Sequence, residues 1–263
     1  MTILCYHEVA PGWKSPLCVT PAAFSRHLDW LMRHRTVLSL PAAEQALTRD
    51  QRLPSSCTAI TFDDGCRGLY DHAFPLLKSA GVPATIFLVA DAVANSERPI
   101  GWYDAADLAP TDVVYSLTPD QVLEMHEEGV TFGAHGYTHL DLTALSVKEC
   151  TADLKMSREY LEDLLGEPVT RLAYPRGCHN ASVREAARRA GFLASYALPI
   201  SREPGGMMAI PRVGVYARNG TWAVRIKSSK RYLDMRTHPV IGRFGARSWR
   251  TEPALLDDPR PTL

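Results

Sequence analysis

Apolar residues along this chain fall into two alternating patterns. Short unbroken runs at 3–6, 59–62, 84–89, 130–134, 172–174, 193–197 and 208–210 have the length of buried strands. Between many of them apolar residues recur at helical spacing. Phe24, Leu28, Leu31 and Met32 follow Thr20-Pro21, and Leu69, Leu76 and Leu77 lead to Gly81. Val122 and Leu123 follow Thr118-Pro119 and stop at Gly129, while Val183 and Ala187 run from Asn180 to Gly191. Leu154, Leu161 and Leu165 lie between a capping box, Ser146 with Glu149, and Gly166. Oxygen-bearing side chains before the first turn satisfy its free N–H groups, and glycine after the last turn takes the left-handed stop.

Strand then helix, repeated, implies βα units on a mostly parallel sheet. About seven strands within one domain-sized stretch predict a closed or nearly closed α/β barrel, a deformed (β/α)7 type. An open doubly wound sheet is the alternative, weakened because no glycine-rich phosphate loop follows the first strand. Two stretches break the rhythm. Residues 91–117 read as a loop containing Pro99, Gly101, Trp102, Tyr103, Pro110 and Tyr115, either a lid over a site or a surface insertion. From Lys227 onward no period is visible and the chain ends in DDPRPTL, so disorder is expected there. The expected organisation is a catalytic domain over 1–219 and a basic extension over 220–263.

Composition narrows the function classes. The 263 residues carry 29 Lys+Arg and 29 Asp+Glu, which argues against a protein built to neutralise phosphates. A hydrophobic share of 46% with 22% charged residues suits a soluble globule, and no apolar run reaches the length of a membrane helix. The balance conceals an asymmetry: residues 220–263 hold nine basic against four acidic residues, the remainder twenty against twenty-five. That basic stretch is a candidate for an anionic lipid surface or a neighbouring subunit, or is simply solvated. The N-terminus shows no secretory pattern, so a cytoplasmic location, free or membrane-associated, is the expectation. Six cysteines without a C-x-x-C read as reduced core residues rather than a thiol or zinc-ribbon motif.

The unusual polar residues sit just after the strand-like runs. His7 follows the first, Asp63-Asp64 the second, His135 with His139 the fourth, Pro175-Arg176-Gly177 the fifth and Arg212 the last. In a parallel barrel those strand ends converge on one face. Adjacent acids are costly unless a cation or arginine lies beside them, although Asp-Asp-Gly also suits a turn. Two histidines four apart can face one way on a helical turn, and with one carboxylate they leave coordination positions open, as catalytic metal sites do. The same triad suits an iron oxygenase.

These residues resemble the polysaccharide deacetylases, the NodB-homology domain or carbohydrate esterase family 4, over roughly residues 1–215. Thr61-Phe62-Asp63-Asp64-Gly65 is similar to the first motif in full. His135-Gly136-Tyr137-Thr138-His139 is similar to the second, with Gly136 where Ser or Thr is usual. RLAYPRG at 171–177 resembles the third, with Ala173 where many members carry an arginine and Arg176 where Tyr is common. Cys5-Tyr6-His7-Glu8-Val9 resembles the start of a permuted branch that includes poly-N-acetylglucosamine deacetylases.

The resemblance implies a NodB-type barrel and a metal-dependent hydrolase that removes an acetyl group from an amino sugar in a glycan, glycolipid or small glycoside. Asp64, His135 and His139 would hold a divalent ion, zinc first, with Ni, Co, Mn or Fe as alternatives. Asp63 would be the general base, His7 the acid for the leaving amine, and the backbone N–H near Tyr174 an oxyanion donor. Arg212 would replace the missing third-motif arginine beside Asp63, with Arg176 as its rival. Trp102 and Tyr103 are candidates for stacking on a sugar ring, or for core or lid packing. The competing readings are a related C–N hydrolase such as a deformylase or cyclic-imide amidase, a sugar-binding module with a dead site, and the oxygenase, whose fold would be a β jelly roll rather than α/β.

Overall fold

A computed structural model describes residues 1–49, 53–103, 113–198 and 206–238. Its strands are β1 (Thr2–Tyr6), β2 (Glu8–Val9), β3 (Cys18–Val19), β4 (Thr36–Val37), β5 (Cys57–Phe62), β6 (Thr85–Leu88), β7 (Thr131–Ala134), β8 (Arg171–Ala173), β9 (Ala194–Ala197), β10 (Ile210–Pro211) and β11 (Val213–Gly214). Its helices are α1 (Pro21–His34), α2 (Leu40–Thr48), α3 (Phe74–Ala80), α4 (Ala90–Ala94), α5 (Pro119–Glu127), α6 (Val147–Leu165), α7 (Ala181–Arg189), α8 (Thr221–Lys227) and α9 (Lys230–Arg236).

The main sheet runs β10-β9-β8-β7-β6-β5-β1-β11, with β4 on the first residues of β5, and its pairings are parallel. One five-residue segment joins its two ends. Ile210 and Pro211 pair with β9, Val213 and Gly214 pair with β1, and Arg212 stands between. The Arg212 N–H donates to Ala197 O and the Val215 N–H to Cys5 O, so the sheet closes into a barrel at this residue. Parallel closure removes the basis of the jelly-roll oxygenase alternative.

Strand periodicity then decides what fills the barrel. Ile3, Ala59, Phe87, Ala173, Ala194, Tyr196 and Ile210, from β1, β5, β6, β8, β9 and β10, belong to one apolar cluster. Side chains two residues further along a strand share that inward face. From Ile3 the face continues to Cys5 and His7, from Ala59 to Thr61 and Asp63, and from Ile210 to Arg212. An apolar plug thus sits below a polar layer at the carboxyl ends of the strands. Gly133 is required in this plug, because a Cβ there would lie 2.7 Å from the Phe87 ring. Each buried Phe or Leu contributes roughly 1.5–3 kcal/mol.

The helices cover the outside, burying Phe24, Leu28 and Leu31 of α1, Val122 and Met125 of α5, and Leu154, Leu161 and Leu165 of α6. The caps follow the chemistry of the sequence: Thr20, Thr118, Ser146 and Asn180 each accept an N–H at their helix start. Several expectations change. Met32 is exposed and Met208 belongs to a 3-10 turn, not a strand. His27, expected on the surface, is buried with its Nδ1 3.4 Å from the Tyr6 hydroxyl. The segment 91–117 opens with α4 and is tied by bridges Pro99–Tyr115 and Cys66–Ser116; residues 104–112, including Pro110, lie outside the described residues.

The aperiodic tail expected from Lys227 is helical through α9, and α8 packs on α1 with Val224 fully buried in the core. Residues 239–263, with four of the nine basic residues of 220–263, lie outside the described residues. No helix among the described residues is long and apolar enough to cross a membrane.

Candidate active site

Among the described residues, only three non-glycine positions have positive φ: Asp64 (70°), His139 (60°) and Arg176 (57°). All three belong to the strand-end motifs, and backbone strain of this kind concentrates at functional sites. After β5 the Asp63 N–H continues the ladder to Tyr6 O, and the chain then reverses through Asp64 and Gly65. Gly65 suits this reversal, because its φ of 70° strains any side chain and a Cβ would lie 2.6 Å from the end of the Leu88 side chain.

The two histidines do not share a helical turn. The chain between them is a loop that turns at Gly136, whose φ is 78°. That φ strains any side chain, and a Cβ at Gly136 would also meet Pro175 at 3.3 Å, so glycine suits this turn where a hydroxyl residue is usual. The loop is pinned by α6: the Asp153 carboxylate accepts the Tyr137 N–H at 3.0 Å and the Ser157 hydroxyl donates to Gly136 O at 3.0 Å. Neither Asp153 nor Ser157 stands out in the sequence, since both read as polar positions on an ordinary helix.

The result is a convergence of Asp64, His135 and His139. Asp64 Oδ1 lies 3.5 Å from His135 Nε2 and 3.4 Å from His139 Nε2; Asp64 and His135 are almost fully buried, and His139 is partly so. His135 Nδ1 is 2.8 Å from Ala173 O, which can only accept, so Nδ1 carries the proton and Nε2 presents a lone pair. Burial pushes both imidazoles below their ordinary pKa and so favours their neutral forms, and it pushes the Asp64 carboxyl up to about 6. Lone pairs facing a carboxylate oxygen in a dry pocket lack a positive charge between them. The donor set and the fixed tautomer fit a divalent cation.

Asp63 sits in the opposite environment. Both of its oxygens accept bonds from Arg212, each 2.7 Å, and Oδ2 also faces the Cys5 thiol at 3.3 Å. Burial alone would raise its pKa, but the guanidinium and its two hydrogen bonds outweigh that and hold the carboxyl well below the usual range. Arg212 Nη1 also donates to Thr61, and the guanidinium lies 5.2 Å from the Phe87 ring centre. Of the two candidate arginines, the structure brings Arg212 to Asp63; Arg176 is exposed, near His139.

His7 is buried at the end of β1's inward face, grouped with Cys5 and Asp63, and its ring stacks on Tyr216 at 6.3 Å. Lys227 of α8 braces that contact. Its ammonium donates to Gly214 O and Asn219 Oδ1, both at 2.9 Å, and lies 5.0 Å from the Tyr216 ring centre. The segment expected as an appendage therefore reaches the wall of the pocket.

Three expected roles change. The Tyr174 N–H is engaged in the ladder with Tyr196 O, and its hydroxyl donates to Met208 O, so Tyr174 offers no oxyanion donor. Trp102 does not present both faces to a sugar, because one stacks on His139 at 4.7 Å and 26°. The Tyr103 hydroxyl donates to Asp64 Oδ2 at 2.8 Å, with Cys66 Sγ 3.0 Å away, so this ring serves the acid cluster. Five of the six cysteines are buried and all are free, as expected, yet Cys5 and Cys66 touch site groups rather than merely filling space.

The sequence profile of polysaccharide deacetylases matches residues 50–195. The chain is 28% identical to YxkH of Bacillus subtilis, a polysaccharide deacetylase by name, over 222 residues that cover 82% of this chain and 71% of that one. It is 27% identical to the poly-beta-1,6-N-acetyl-D-glucosamine N-deacetylase of Staphylococcus epidermidis over 191 residues, 68% of this chain and 61% of that protein's length. In structure it is similar to IcaB from Ammonifex degensii, with TM-score 0.70 and 26% identity, covering 86% of this chain and 96% of that one. The Streptococcus pyogenes deacetylase PplD, solved with acetate, shares the fold at TM-score 0.73 and 22% identity, over 87% of this chain and 98% of that one. With the profile spanning more than half the chain and the motif residues converging in a parallel barrel, the chain belongs to the polysaccharide deacetylase family.

Proposed function

We propose that this protein is a divalent-metal-dependent hydrolase that removes acetyl groups from N-acetylated amino sugars, with a β-1,6-linked N-acetylglucosamine polymer as the substrate class suggested by its staphylococcal relatives. One observation carries the reading. Adjacent carboxylates, Asp63 and Asp64, lie in one buried pocket with opposite surroundings: an arginine holds the first ionised, and two neutral imidazoles converge with the second. Two acids so divided serve two tasks. A dead sugar-binding module would lack a ligand or the base, and here Asp63, Asp64, His135 and His139 are all in place.

Asp64, His135 and His139 would hold the ion. Zinc suits two imidazoles and one carboxylate with open positions, and cobalt, nickel, manganese and iron tolerate the same donors. Such an ion lowers the pKa of a coordinated water toward neutrality and polarises an amide carbonyl. Asp63 takes a proton from the attacking water. Arg212 fixes both carboxylate oxygens and the Cys5 thiol faces Oδ2, which leaves Oδ1 with a lone pair to accept it. Water oxygen joins the acyl carbon, the C–N bond breaks, and acetate and a free amine leave. The amine nitrogen cannot depart as an anion, so His7 supplies its proton. Burial lowers the His7 pKa, which makes its protonated form a stronger acid than free histidine. In the turn after β8, Tyr174's N–H is occupied and Pro175 has none, so the Arg176 N–H is the donor assigned to the developing oxyanion.

The test is acetate release from an N-acetylglucosamine oligomer by zinc-loaded protein, compared with Asp63→Asn. The expected loss is at least about a hundredfold. Activity surviving in the variant removes Asp63 from the base role.

A further inference from the structure

The two histidines of the ligand set are held by different means. His135 is anchored through Nδ1–H to Ala173 O, whereas His139 Nδ1 is buried with no hydrogen-bond partner among the described residues. What fixes the His139 ring is the face of Trp102, 4.7 Å away between centroids. The next residue in the chain, Tyr103, reaches the other side of the set. Its hydroxyl donates to Asp64 Oδ2 while Oδ1 faces both imidazoles. A carboxylate held through its outer oxygen cannot turn about its terminal bond, so Oδ1 stays aimed at the histidines.

The dipeptide is itself well anchored. Trp13 meets the Tyr103 ring edge-on at 5.2 Å, and Cys66 Sγ lies 3.0 Å from its hydroxyl. Arg67 ties both flanks of the segment, donating to Ser96 O at 3.0 Å and to Ser116 O at 3.2 Å, with its guanidinium over the Tyr115 ring. Two ligands of three are therefore gripped by consecutive residues of one braced strap, while the third is held by the barrel wall.

We propose that Trp102 and Tyr103 are positioning residues that set how tightly and how long the divalent ion is retained, Tyr103 through Asp64 and Trp102 through the ring of His139. The inference rests on the reading of Asp64, His135 and His139 as the ion's ligands. It differs from a sugar-stacking role, which would leave ion binding untouched. Hydrogen-bonding partners behind a ligand typically change metal affinity by about 10- to 100-fold when removed.

The experiment measures zinc affinity by chelator competition, and zinc release into excess chelator, for wild type, Tyr103→Phe and Trp102→Leu. Tyr103→Phe deletes one oxygen and keeps the ring. It is expected to bind zinc about 10- to 100-fold more weakly, to alter the visible absorption of the cobalt-loaded protein, and to leave the metal-free unfolding midpoint close to wild type. Trp102→Leu is expected to release zinc faster. Wild-type zinc affinity and release in Tyr103→Phe overturns the proposal, whatever Trp102→Leu does, as does a raised KM for the sugar with zinc binding unchanged. A wild type that binds no divalent ion is a separate outcome, and it overturns the ligand assignment beneath both readings.

Discussion

Arg212 grips Asp63 through two parallel 2.7 Å bonds from the residue at which the barrel closes. The base is thus oriented by the seam of the fold, and the backbone closing the sheet also delivers the guanidinium. Removing one partner of a buried ion pair leaves an unpaired charge and costs about 3–5 kcal/mol. Arg212→Ala is therefore expected to lose stability of that order in denaturant unfolding. Arg212→Lys restores charge without the fork, and is expected to recover much of the stability but little of the acetate release. Equal activity in Arg212→Lys and wild type would show that the two-pronged grip is irrelevant.

The brace from α8 gives a second expectation. Lys227 is buried, and without it Gly214 O loses this donor, at about 1–3 kcal/mol for an unsatisfied buried group, while Asn219 Oδ1 keeps the Tyr216 N–H. A chain ending at residue 238 keeps every described element and serves as the reference. A chain ending at 219, which lacks Val224 and Lys227, is expected to unfold at markedly lower denaturant. Equal stability of the two truncations would make residues 220–238 a true appendage.

Glu8 supplies a pH dependence. Burial raises its carboxyl to about 7, despite hydrogen bonds from the Val9 and Gly68 N–H groups. The folded state thus binds a proton that the unfolded chain, titrating near 4.5, has released. Stability from this group is fully present below pH 4.5 and is lost as pH rises through about 7, by about 3 kcal/mol. Glu8→Gln is expected to remove that decline, so the variant gains on wild type between pH 5 and pH 8 in urea unfolding. Parallel profiles would contradict the assignment.

Much of the pocket was legible from the chain because strand ends are legible. Apolar runs locate β1, β5, β7 and β8, and His7, Asp63 and His135 follow them directly, where a parallel barrel gathers side chains. What lay beyond reach depended on neighbours distant in sequence. Arg212 and Arg176 are equivalent as letters, and the choice between them comes from closure at β10 and β11. The Tyr174 N–H reads as free until β9 is placed beside β8. Trp102 and Tyr103 read equally as sugar platforms or as core or lid packing, because aromatic composition says nothing about which way a ring faces. Two-residue strands such as β4 carry no periodic signal, and Lys227 reads only as part of an aperiodic basic stretch, because its acceptors, Gly214 at the end of β11 and Asn219, are set by the fold.

The sharpest test of the hydrolase reading is acetate release from a β-1,6-linked N-acetylglucosamine oligomer by chelator-stripped protein titrated with zinc. Activity is expected to be absent at the start, to rise to a plateau at about one zinc per chain, and to stay absent in His135→Ala at the same zinc concentrations. Full activity in the stripped protein, or no acetate release at any metal loading, would contradict the account.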